Sequence, residues 1–143
     1  MFAYFEMAIG WRELLKRTYT DAMEDDAMGL AAQSAARDAH AVRAATRELV
    51  DLLATARELA VARGAAAVHL DSAAALVRLR APGTPTGNLA LGALHGVRLE
   101  PSRDSLAFDG RGLGRGAANL RVVVRRGAAA DTVVVSRLGR VRY

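Results

Sequence analysis

The sequence has no cysteine among its 143 residues. That excludes a disulfide, a thiolate metal site and a cysteine nucleophile. Lysine occurs once, at Lys16, and isoleucine once, at Ile9. Only 5% of residues are aromatic, and five of them crowd into residues 1–20: Phe2, Tyr4, Phe5, Trp11 and Tyr19. No stretch offers the about 20 apolar residues that a membrane-spanning helix needs. The longest uncharged stretch, residues 81–97, contains two prolines and four glycines. No secretory signal is expected either, because Glu6 stands where such a signal is basic and Arg12-Glu13 interrupts the apolar run.

What is present suffices for one domain, or one domain with an appendage. Apolar residues make up 52%, much of it alanine, which buries little area per residue. The net charge of +5 is unevenly spread. Residues 1–40 carry a net −3 and residues 41–143 a net +8. Residues 111–143 alone carry eight arginines against Asp131. Two readings stand side by side: a surface for a polyanion, or an arginine-rich soluble surface.

Residues 1–20 differ in composition from the rest, the clearest boundary in the chain. Phe5, Ile9, Leu14 and Leu15 follow rough helical spacing, with Glu6, Glu13, Lys16 and Arg17 between them. This helix either lies on a membrane surface or packs on the domain or a partner. Thr20-Asp21, with Glu24, Asp25 and Asp26, reads as a helix start, since acidic groups favour a helix N-terminus. The same acids lack the alternating ligands and turn glycine of a calcium loop.

A helix is expected from residue 21 to residue 63, with Gly29 its weak point and residues 39–63 its strongest part. There Val42, Ala45, Leu49, Leu52, Leu53, Ala56, Leu59 and Ala60 share one face. Gly64 is a plausible C-cap. The period then becomes strand-like over residues 66–70, 76–80, 89–94, 96–100 and 105–108. Residues 81–88 and 109–116 read as loops. Two β-branched runs, 120–126 and 132–136, flank a turn-like segment at 127–131. A helix followed by short antiparallel strands makes an α+β domain.

Gly112, Gly114 and Ala117 satisfy G-x-G-x-x-A, but a strand follows where a dinucleotide site needs a helix N-terminus. His40, His69 and His95 lack metal-ligand spacing. The serines have no nucleophile-elbow context. No enzyme, cofactor, metal or small-molecule substrate is expected. The basic tail is the candidate ligand surface. In an extended strand Arg140 and Arg142 point to one side with Val141 opposite. Beside Arg125 or Arg126 of the paired strand, and with Arg137, they would form a phosphate-binding surface. The alternative is an edge strand kept soluble by charge. Tyr143 could stack on a base or simply end the chain.

Three segments resemble a known family. The helix from Ala44 to Gly64 looks like the post-membrane helix of GspH/FimT-type minor pilins. Ser105-Leu-Ala-Phe-Asp-Gly-Arg-Gly112 is similar to that family's strand-plus-glycine segment. Thr132-Val-Val-Val-Ser-Arg-Leu-Gly-Arg-Val-Arg142 is similar to its C-terminal Gly-Arg-x-Arg signature. The resemblance covers about residues 37–143. It implies a pilin-like fold, a long N-terminal helix packed on antiparallel β-sheets, with the helix at about 39–63 and the β-region at about 65–143. It implies a non-enzymatic subunit (a pseudopilin) of a type II secretion pseudopilus or type IV pilus in the bacterial cell envelope (inner membrane and periplasm), partnered by other pilin-like subunits. In FimT-like members the tail is associated with DNA binding, which by position would fall on Gly139, Arg140 and Arg142.

Such pilins begin with a peptidase site, glycine then phenylalanine, opening a transmembrane helix. Phe2 and Glu6 have the spacing, but no glycine precedes Phe2 and no apolar span follows. Residues 1–36 are therefore expected to be an atypical helical extension, a fusion or a mispredicted start, without a prepilin leader. Residues 11–33 resemble the lead-in of YihY/BrkB-type membrane proteins. Membrane-surface contact would fall to residues 1–20.

Overall fold

A computed structural model describes residues 2–115 and 119–143, with residues 2–26 described by their backbone alone. The chain divides into two compact units, Met1–Ala36 and Arg37–Tyr143. Helix α1 runs Phe2–Arg63 through both. The helix start expected at Thr20-Asp21 is therefore helix interior, and the helix is longer than residues 21–63. No proline occurs before Pro82, so nothing removes a backbone donor along α1. Gly29 is also helical, at the roughly 1 kcal/mol that an interior glycine costs relative to alanine. The membrane-surface reading of residues 1–20 concerns side chains outside the described residues. No helix among the described residues is long and apolar enough to cross a membrane.

In the second unit α1 buries one stripe: Val42, Ala45, Leu49, Leu53, Ala56 and Ala60. The 3–4 spacing is the one the sequence predicts, and its alanines leave room for β-structure to approach closely. Thr46 is buried on the same stripe, and its hydroxyl has no hydrogen-bond partner among the described residues. Gly64 ends the helix with φ +89°, its N–H donating to Ala60 O at 2.8 Å. A left-handed residue here suits glycine, which has no Cβ to clash.

Eight strands follow among the described residues: β1 (Ala65–Asp71), β2 (Leu76–Arg80), β3 (Gly87–Ala90), β4 (Arg98–Pro101), β5 (Ser105–Asp109), β6 (Leu120–Arg126), β7 (Ala129–Val135) and β8 (Val141–Arg142). A short helix, α2 (Leu91–His95), separates β3 from β4. The strands form two four-stranded sheets, β3-β2-β1-β5 and β4-β6-β7-β8, antiparallel throughout. Val68, Leu70, Val77, Leu106 and Phe108 of the first sheet join the α1 stripe in one core with Leu99, Leu120, Val122, Val124, Val133 and Val135 of the second. Strict alternation along β1 and β6 puts every second residue in that core.

Two sequence expectations change. The strand expected at residues 89–94 stops at Ala90, because its partner ends there: Ala90 pairs with Leu76, the first residue of β2. The chain then makes one helical turn that buries Leu91 completely. The turn expected at residues 127–131 shrinks to Gly127-Ala128, since β7 begins at Ala129. Gly127 has φ +56°, the left-handed first position that a two-residue hairpin loop favours.

Candidate functional site

The basic tail is folded back on the domain. Val141 and Arg142 form β8 beside Val135 and Val134 of β7. The connecting turn is closed by Gly139 N–H donating to Ser136 O and Ser136 N–H to Arg140 O, both at 2.9 Å. The Arg140 N–H donates to Ser136 Oγ at 3.2 Å. Two outside bonds fix the turn: Gly114 N–H to Arg137 O at 3.1 Å, and Arg137 N–H to Asn119 Oδ1 at 3.1 Å. Gly139 is buried with φ +76°. A Cβ there would strike Gly112 O and come within 3.2 Å of Arg57 Nε on α1. The motif's glycine therefore seats the turn, while Arg137, Arg140 and Arg142 stay exposed. Val141, opposite, packs against the core.

Arg125 and Arg126 lie elsewhere. The strand paired with the tail is β7, whereas both arginines sit on β6 at the far end of its ladder, opposite Ala130 and Ala129. Both are also engaged within the domain. Arg125 Nε lies 3.2 Å from Glu100 Oε1. Arg126 Nε lies 3.0 Å from Asp38 Oδ1 on α1, and its Nη1 donates to His95 O at 2.6 Å. The arginine that the register does bring to the tail is Arg121. It pairs with Val134, which pairs with Arg142, so Arg121, Val134 and Arg142 share one row and one face. No spacing in the sequence singles Arg121 out, because its place beside the tail is set by the β6–β7–β8 register.

A groove of about 570 Å3 runs between α1 and the turn, lined by Arg57, Glu58, Val61, Arg111, Gly139 and Val141. Arg111 belongs to a loop organised by Asp109, whose Oδ1 accepts from Arg111 N–H at 2.9 Å and Leu113 N–H at 3.0 Å. The bond from Leu113, then that from Arg111 and the charges of Arg111 and Arg115, hold the Asp109 carboxyl below its ordinary 3.8. The glycine-rich loop leads into strand β6, so Gly112 and Gly114 act as turn formers; Ala117 lies outside the described residues.

The histidines are dispersed. His40 is exposed on α1, and His69 faces outward from β1. His95 ends α2 with Nε2 3.0 Å from Glu48 Oε2 of α1. Among the described residues no group of three or more His, Asp or Glu could hold a metal ion.

Residues 45–139 match the model of the family described as Type II transport protein GspH. The chain belongs to that family. Its fold is similar to that of the Pseudomonas aeruginosa (strain PAO1) type IV minor pilin FimU. One crystal form of FimU (space group P21) covers 71% of this chain and 86% of its own, at 17% identity and TM-score 0.59. A second (P65) covers 70% and 90%, at 16% identity and TM-score 0.57. No curated protein matches the chain in sequence. The matched span runs from the buried stripe of α1 to Gly139, the residue that seats the tail turn. The GspH/FimT-type minor pilin domain and the pilin-like α+β fold expected from the sequence are both present.

Proposed function

We propose that this protein is a non-enzymatic, pilin-like structural subunit that assembles with other pilin-like subunits, in a type II secretion pseudopilus or a type IV pilus of the bacterial cell envelope. The observation that carries this reading is the family match over residues 45–139, joined to a helix-on-two-sheets fold like that of a minor pilin. Deleting the gene and assaying type II secretion and surface piliation tests it. Loss of either process, restored by the parent gene, is the expected result. Full retention of both contradicts it.

A second reading is favoured by the tail. It is a DNA-binding minor pilin of an uptake system, with Arg140, Arg142 and Arg137 meeting phosphates and Arg121 added by register. Arg125 and Arg126 would act only after releasing Glu100 and Asp38. Phosphate contacts release counterions, so the affinity must fall steeply with salt. A gel shift comparing the parent with the Arg140→Ala/Arg142→Ala variant decides between readings. Equal affinity at low salt removes the tail as a DNA site.

A further inference from the structure

The outer face of the first sheet carries an organised polar surface separate from the tail. One register row crosses all four strands as Asn88, Arg78, His69 and Ser105. All four residues are exposed. The adjoining row places Arg80 opposite Ala67 and Ala67 opposite Ala107. Because the floor here is alanine, two shallow concavities open on this face, about 290 and 310 Å3, sharing Ala67 and Arg80. Arg78 and Arg80 line the first, and Arg80 and Arg115 the second. Together they make one trough floored by methyl groups and walled by guanidiniums.

No acid among the described residues forms an ion pair with it, although the Asp109 carboxylate feels the Arg115 charge. Among the described residues Arg78, Arg80 and Arg115 make no ion pair. Asp71 and Asp109, at the ends of the strands, each commit Oδ1 to two backbone N–H groups of adjacent turns. On the outer face of the second sheet Arg125 is paired with Glu100, while Arg121 and Arg142 make no ion pair among the described residues. Unpaired guanidiniums around a low floor suit closely spaced phosphates, which can approach the sheet without displacing large side chains. The lining holds no outward Phe, Tyr or Trp, its outward ring being the His69 imidazole, and no large apolar side chain to enter a bilayer.

We propose that the Arg78–Arg80–Arg115 trough on the first sheet is a binding site for the phosphodiester backbone of duplex DNA, read without regard to sequence. It does not depend on the tail reading. Arg78→Gln/Arg80→Gln removes two contacts on exposed side chains, so the variant should melt like the parent. With a short DNA duplex as probe, its affinity should fall about tenfold and the slope of log K against log salt should flatten by about 2. Arg43→Gln/Arg47→Gln removes the same charge from the exposed side of α1 and should cost clearly less. The Arg140→Ala/Arg142→Ala variant should still show the loss when Arg78 and Arg80 are replaced. Equal losses from the trough and α1 variants would reduce the effect to overall charge and overturn the site. A loss confined to the tail variant would overturn it and leave the tail reading standing. A loss confined to the trough variant would do the reverse. A parent that binds no duplex at low salt, or binds only phosphatidylglycerol vesicles, would overturn both.

Discussion

Gly139 lies against the carbonyl oxygen of Gly112, so closely that neither chain segment leaves room for a Cβ on Gly139. The contact fastens the tail turn to the loop after β5, with Arg57 of α1 packed beside both glycines, its Nε 3.0 Å from where a Cβ on Gly112 would sit. Gly139→Ala combines a left-handed backbone with that clash and should destabilise the domain by about 1–3 kcal/mol. Urea unfolding monitored by circular dichroism measures it. A change within about 0.5 kcal/mol, the range of ordinary surface substitutions, would show that the turn is not seated this way.

Burial on α1 predicts a contrast with the tail turn. Leu53 is fully buried in the core, whereas Leu138 is 57% exposed. Leu53→Ala should cost about 2–5 kcal/mol, through lost transfer energy and the cavity left behind. Leu138→Ala should stay within about 0.5 kcal/mol. Similar losses for the two would contradict the placement of the α1 stripe.

Thr46 offers a stabilising change. Its buried hydroxyl has no partner among the described residues, and an unmet polar group costs about 1–3 kcal/mol. Valine has nearly the same shape and a similar helix propensity. Thr46→Val should raise stability by about 1 kcal/mol in thermal unfolding. A loss of stability would mean that the hydroxyl is hydrogen-bonded in solution.

Asp109 predicts an acid-side effect. Its carboxyl is held below 3.8 in the folded chain, chiefly by the Leu113 N–H. The folded state therefore gains stability from it that is fully present above that value. This is lost as the pH falls through the lower folded value. Asp109→Asn should melt below the parent near neutral pH, and the gap should close on acidification below 3.8. Melting curves between about pH 2 and pH 7 test this. A gap independent of pH would contradict it.

Much of the fold was legible because two periods are written plainly into the sequence. The 3–4 spacing of Val42, Ala45, Leu49, Leu53, Ala56 and Ala60 gave the buried helix face. Alternation in β1, β2, β5 and β6 gave strands near their observed bounds. Helix α2 is hidden in the sequence because Leu89-Ala-Leu alternates like a strand, while its course depends on the antiparallel partner β2 starting only at Leu76. The hairpin loop was overestimated because alanines 128–130 carry no strong signal, and only the ladder with Arg125 and Arg126 draws Ala129 and Ala130 into β7. In the tail, the alternation of exposed Arg140, half-buried Val141 and exposed Arg142 follows from spacing. That Arg121 is its neighbour, and that Arg126 is held by Asp38 and His95, are facts of register and of α1 packing. Spacing alone does not encode them.

Assembly is the central claim, and direct binding tests it most closely. The full chain, purified and immobilised, should retain purified pilin-like subunits from its own organism, saturably and more strongly than an unrelated protein of equal charge. Failure to retain any of them, under conditions where the chain is folded by circular dichroism, would contradict the account.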